Sequence, residues 1–287
     1  PVYLALGKTD NVSRSRSYTD KDAEIEAALQ WLVGANRANP HASYCVVAPD
    51  IADDRAQIER VCKRLVQPES YSHPGLNTWR DRVNVSAGSP LGSFGIVADA
   101  LLLLSMLVKP ILRDEWGTLL RSPYWEVSAQ RFSHCSLFAD KLIEVKSEKL
   151  SVNFVEERYS KLLERGNQSS EAREISPLLS ALQIAGNANV AGTKRFSEWA
   201  VIIPELLESL GWPGRRSLSS QDFQLKEKFF EQVRMLALFD EVVGEVVFFH
   251  VLLHLKQSFN EAMFQIKPDQ TTNQVTGGLE ATGLHCD

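Results

Sequence analysis

The feature that most constrains this chain is a long succession of helix-patterned segments. From Phe94 to Phe259, apolar residues recur at helical spacing between short polar or glycine-containing breaks. The spacing predicts helices over 94–107, 114–120, 130–146, 152–165, 175–186, 197–210 and 220–259, the last hinged near Asp240 to Gly244. Gly166 to Arg173 reads as an exposed loop. Gly211 to Ser219 reads as a turn-rich connector with a basic step.

A sheet must therefore be assembled from the flanks. Lys21 to Val33 is amphipathic, with Ile25, Ala28, Leu29 and Leu32 on one face. Thr19 is the expected N-cap, and Asp20, Asp22 and Glu24 sit where the helix dipole favours acids. Ser43 to Ala48 is short, apolar and β-rich, which suits a buried strand. Asp53 to Val66 is a second amphipathic helix, with Ile58, Val61, Cys62 and Leu65 on its apolar face. Helix, buried strand, helix is the pattern of an open α/β sheet of the RecA kind. Asn84 to Ser86 reads as a short edge strand. Met263 to Asp287 turns extended again, with Val275-Thr276-Gly277-Gly278 as a strand leaving into a glycine turn. No repeat of period 20 to 50 is evident.

Composition narrows the partners. A hydrophobic fraction of 44% and a charged fraction of 23% are ordinary for a globular chain. The net charge of −5 excludes a global basic footprint, leaving only local patches for nucleic acid. Cys45, Cys62, Cys135 and Cys286 form no C-x-x-C pair, and they read as reduced thiols of a cytosolic protein. The first residues carry no signal-peptide pattern. The longest apolar run, 242–255, is broken by Glu245, His250 and His254 and is shorter than the roughly 20 residues of a membrane span. The chain starts at Pro1 and stops where an apolar strand is expected next. It therefore reads as an interior piece of a longer protein.

Three catalytic signatures each lack a required part. Gly7-Lys8-Thr9 resembles the end of a phosphate loop, but Val2 stands where the first glycine belongs. His250 and His254 have metal-ligand spacing, yet Val251 replaces the glutamate that would act as base, so core or helix-surface histidines are expected. Asp50 and Glu144-Val145-Lys146 supply the letters of a restriction-type nuclease far apart and on a helical pattern. Asp50, Asp53 and Asp54 are expected to cap a helix. Two basic-aromatic groups, Trp79-Arg80 with Arg82 and Trp212 with Arg215 and Arg216, are candidates for phosphate contact, with solvated loop charge as the alternative.

Four segments taken in order resemble a known family. They are the unit from Asp20 to Leu65, with Val46-Val47-Ala48-Pro49-Asp50, Arg55 and Ile58-Glu59-Arg60; Asn84 to Leu91 leading into Ala100 to Leu104; Leu119 to Tyr124 with the later Gly211-Trp212-Pro213-Gly214; and Gln274 to Leu284. The order is similar to a bacterial family of DNA-repair proteins related to AddB, in which a UvrD-like superfamily 1 helicase body is joined to a PD-(D/E)xK nuclease. Leu279-Glu280 corresponds to the Gly-Leu-Glu of helicase motif V, with Gly277 or Gly278 where active enzymes carry lysine.

The resemblance implies a helix-rich α/β fold, with a partial RecA-like (P-loop NTPase-like) unit and a large all-helical insertion. It implies three regions: 1–85 as the helicase-like unit, 86–260 as a helical accessory region, and 261–287 as a return strand. It implies a helicase-like, non-catalytic DNA-binding scaffold of a recombination-repair helicase-exonuclease, cytoplasmic, with a partner helicase-nuclease subunit and no membrane association. ATP and Mg would belong to the parent protein, with no cofactor in this stretch. The candidate DNA contacts are Arg55, Arg80, Arg82, Trp212, Arg215, Arg216, Thr276 and Glu280. The alternative expectation is a helical protein-interaction module without DNA binding.

Overall fold

The computed structural model describes residues 15–66, 68, 82–86, 88–130, 132–165, 177–265, 273–278 and 281. Helix dominates, with eleven helices and only short strands among the described residues. The chain divides into two compact units. One takes the chain up to Ser89 and again from Gln265, and Pro90–Phe264 form the other.

In the first unit, α1 (Lys21–Ala38) precedes β1 (Tyr44–Val47), and α2 (Ile51–Val66) follows it. The cap of α1 is Asp20, not the expected Thr19: the Asp20 carboxylate accepts the Ala23 N–H at 2.8 Å. Thr19 instead donates its hydroxyl to Asp20. The short strand β2 (Asn84–Val85) lies on one side of β9 (Asn273–Thr276), and β1 lies on the other. Both pairings are parallel, with Val46 and Val85 each in register with Val275. Parallel neighbours cannot be joined by tight turns, and here the link from β2 to β9 is the whole second unit.

The apolar stripes of α1 and α2 meet the sheet in one cluster. Ile25, Leu29 and Leu32 from α1 and Ile58, Val61 and Cys62 from α2 pack with Val46, Val85 and Val275. The Trp31 and Tyr44 rings add an edge-on contact, 5.9 Å between centroids. Strand β9 begins two residues before the apolar pattern does. Asn273 is buried there and donates its side-chain amide to the Arg82 carbonyl at 3.0 Å.

The second unit opens with β3 (Ser89–Pro90) at its boundary, a 3-10 turn over Leu91–Ser93, and α3 (Gly95–Met106). It continues through β4 (Ile111–Leu112), α4 (Arg113–Leu119), α5 (Glu126–Gln130), α6 (Phe132–Ile143), β5 (Lys149–Leu150), α7 (Val152–Arg165) and α8 (Pro177–Asn187). Then come β6 (Thr193–Lys194), α9 (Phe196–Ser209), α10 (Ser220–Met235), β7 (Val246–Val247), α11 (Phe248–Glu261) and β8 (Met263–Phe264). The predicted 220–259 segment is two helices. A 3-10 turn over Leu236–Phe239 ends the first, so the break falls close to the expected hinge. The chain enters and leaves this unit side by side, with the Leu91 N–H donating to the Ala262 carbonyl at 2.8 Å. The Gly166–Arg173 loop lies outside the described residues.

One local device is used twice. Strands β4 and β5 pair antiparallel, and each runs straight into a helix, α4 or α7. Strands β6 and β7 do the same before α9 and α11. In α4, Glu115 reaches back to the Leu112 N–H at 2.7 Å, and Trp116 donates its indole N–H to the Leu150 carbonyl at 3.0 Å. In α9, Glu198 reaches back to the Arg195 N–H at 2.8 Å, and Trp199 donates to the Val246 carbonyl at 3.0 Å. In both, the glutamate satisfies an orphan donor of the first turn. The adjacent tryptophan fills the core and ties the paired strand to the helix. Trp125 and Trp212 likewise donate to the carbonyls of Leu210 and Ile96, at 2.8 and 2.9 Å. Four of the six tryptophans are thus buried staples of this unit.

Candidate functional site

Ligands of open parallel α/β sheets bind outside the carboxyl ends of the strands, and that edge is the candidate site of the first unit. Strand β1 runs out through Ala48, Pro49 and Asp50 into α2, β2 into Ser86, and β9 into Gly277 and Gly278. The three exits are tied together. The Ala48 N–H donates to the Thr276 carbonyl at 2.8 Å, the Ser86 N–H to the Val275 carbonyl at 2.9 Å, and the Ser86 hydroxyl to Thr276 Oγ1 at 3.1 Å. A Cβ at Gly277 would come within 3.2 Å of Ile51 Cγ2, so β9 and the start of α2 approach closely because this residue has no side chain. Lys21, at the start of α1, reaches Asp54 at 2.7 Å and Asp50 at 3.9 Å. The hydrogen bond to Asp54, with the nearby acidic charges, holds the Lys21 ammonium above its ordinary range.

The expected DNA contacts of this unit do not converge on that edge. Arg55, on the second turn of α2, pairs with Glu59 at 2.7 Å, and its Nη1 is buried without a hydrogen-bond partner among the described residues. Arg82 precedes β2, at the amino end of the sheet. Thr276 is 1% exposed on the central strand, and its hydroxyl bonds across the sheet to Ser86. Arg80 and Glu280 lie outside the described residues, as do Gly7-Lys8-Thr9 and Leu279.

The second group is gathered in one place, but with changed roles. Trp212 is 4% exposed, packs on Phe229 and Phe230, and gives its indole N–H to Ile96. It is a core residue, whereas the sequence offered it with Arg215 and Arg216 as a phosphate contact. Gly211, at a φ of 83°, turns the chain here, and a Cβ on it would meet Glu126 Cβ at 3.1 Å. Arg215 is open to solvent and pairs with Glu126 at 2.7 Å. Arg216 bonds Asp222 at 3.2 Å and lies over the Tyr124 ring, 4.6 Å from its centroid. Gly211, Trp212, Arg215 and Glu126 border a cavity of about 490 Å³ that also includes Lys226 and Glu208.

Behind the connector is a buried polar chain that the residue patterns did not reveal. Tyr124 donates to Asp222 at 2.9 Å, and Asp222 caps α10 together with Ser219. Ser122 donates to the buried Asp99 carboxylate and accepts the Tyr124 N–H at 2.9 Å. Burial raises the Asp99 carboxyl to about 6, against partial relief from the Ser122 hydrogen bond. Burial, with the adjacent Asp222 charge, also raises the Tyr124 phenol.

His250 lies against the Phe249 ring on α11, 6.1 Å between centroids. His254 packs edge-on against Phe196, and no group of three His, Cys, Asp or Glu fit to hold a metal occurs among the described residues. Asp50 and Glu144 belong to different units. No described helix is long and apolar enough to cross a membrane. No family model matches the chain, and no curated protein matches it.

Proposed function

We propose that this chain is a helicase-like, non-catalytic DNA-binding scaffold of a recombination-repair helicase-nuclease, of the AddB-related kind. One observation carries the reading. Strand β9 returns after the helical unit to lie between β1 and β2, parallel to both. A partial RecA-like sheet interrupted by a helical accessory region calls for that topology, and the Gly277-Gly278 turn at the end of β9 precedes the degenerate Gly-Leu-Glu. In this reading, ATP hydrolysis, Mg binding and DNA cleavage belong to the parent protein or its partner subunit.

Hydrogen exchange with and without forked DNA tests the reading. Protection is expected in 48–55 and 273–278. Unchanged exchange throughout the chain at saturating DNA removes the proposal.

A second reading, a helical protein-interaction module, draws on exposed apolar side chains of the helical unit. Leu137 and Val201 are each 67% exposed and Val242 is 85% exposed. Large exposed apolar groups mark interaction surfaces when contiguous. Equal hydrogen exchange with and without DNA, together with a stable complex with a partner subunit, favours it.

A further inference from the structure

A cleft in the helical unit draws lysines from separate elements. Lys109 follows α3, Lys149 lies on β5 and Lys256 on α11, around a cavity of about 420 Å³. Two carboxylates share the wall, Glu115 and Glu148. Glu115 is already committed to the Leu112 N–H at the start of α4. None of the three lysines makes an ion pair among the described residues. Burial lowers the Lys256 ammonium below its ordinary range; the Lys109 charge adds to this, and Glu115 opposes it.

The Lys109 and Lys256 charges repel one another, and the burial of Lys256 adds a desolvation cost. The described protein groups offset this only in part, and a bound oxyanion would offset it directly. Lysine serves phosphate as a point charge. A second surface adjoins the cleft. The Phe249 ring is 39% exposed, and Lys109 Nζ stands 5.9 Å from its centroid. Phe249, Leu253 and Lys256 share one face of α11 by their spacing. An exposed aromatic beside a basic cleft suits a strand whose bases are free to stack. A free phosphate ion would have no use for the ring.

We propose that this cleft seats a backbone phosphate of single-stranded DNA, with the adjoining base on Phe249. The inference rests on the DNA-binding reading above and goes beyond it by placing the contact.

Oligothymidylate binding by the whole chain, followed by anisotropy at several salt concentrations, tests it. Lys109→Gln/Lys149→Gln/Lys256→Gln together should weaken binding by about tenfold or more at low salt and flatten the salt slope by about 0.7, the value for one phosphate of a single strand. Phe249→Ala should weaken binding with the slope unchanged. If the triple variant unfolds, Lys149→Glu, on an exposed strand residue, must still weaken binding and flatten the slope. A lysine variant that binds like the parent, with the same slope, overturns the inference and leaves the DNA reading intact. Weakening by the lysine variant with no effect of Phe249→Ala overturns the seated base. Binding of forked duplex but not of oligothymidylate overturns the single-strand assignment. Binding of neither DNA sinks the reading, and the inference with it.

Discussion

Two buried residues behave against their sequence appearance. Trp212 sits beside arginines, which made the group a candidate phosphate contact, but its indole is enclosed by Phe229 and Phe230. Trp212→Ala should therefore destabilise the helical unit by about 3–5 kcal/mol, measured by chemical denaturation. DNA affinity of the protein that remains folded should be unchanged. Asp99 is the second. Its carboxyl titrates at about 6 in the fold against an ordinary 3.8, because burial disfavours the charge. Below the ordinary value both states hold the proton and the site carries no penalty. As pH rises from there through about 6, the unfolded chain releases the proton first and stability falls. The total loss is up to about 3 kcal/mol at 1.36 kcal/mol per pKa unit. Asp99→Asn should flatten that window in a series of unfolding midpoints. A parent protein whose stability does not fall over this range would show that Asp99 is not held neutral.

At the scale of elements, the helix starts decide most of the local geometry. Asp20→Ala should cost the first unit about 1 kcal/mol, while Thr19→Ala should cost close to nothing. Thermal unfolding of the two variants distinguishes the observed cap from the one the sequence suggested. Glu115→Ala and Glu198→Ala should each cost about 1 kcal/mol, because both perform the same backward reach at the start of a helix. Helices were legible in the sequence because their apolar faces repeat with helical period: Ile25, Ala28, Leu29 and Leu32 are the residues α1 buries. The two-residue strands β4 to β7 were not legible. Such a strand has no period to detect, and its partner is distant, as with Ile111 and Leu150. The amino end of β9 was missed because Asn273 is polar, and its burial is offset in part, through its amide N–H, by the bond to Arg82 that only the fold supplies. Among the candidate contacts, the sequence marked charge but not its pairing. Arg55, Arg215 and Arg216 each face a carboxylate, whereas the unpaired lysines 109, 149 and 256 come from positions far apart in the chain.

At the scale of the molecule, an uninterrupted segment forms one unit, and the chain on either side of it forms the other. A polypeptide of residues 90–264 should then keep its helical circular dichroism and unfold cooperatively alone, since its tryptophan staples lie within it. Non-cooperative melting would mean that the helical unit depends on the other unit. The sheet unit has the opposite property, because β9 reaches its place only after the helical unit has been traversed. The proposed DNA-binding scaffold depends on that return and on motif order. Forked-DNA affinity measured from about 50 to 200 mM salt tests it most directly. Binding at low salt is the predicted result, with log K falling linearly against log salt by about 0.9 per phosphate contacted. No binding at the lowest salt, or an affinity indifferent to salt, would contradict it.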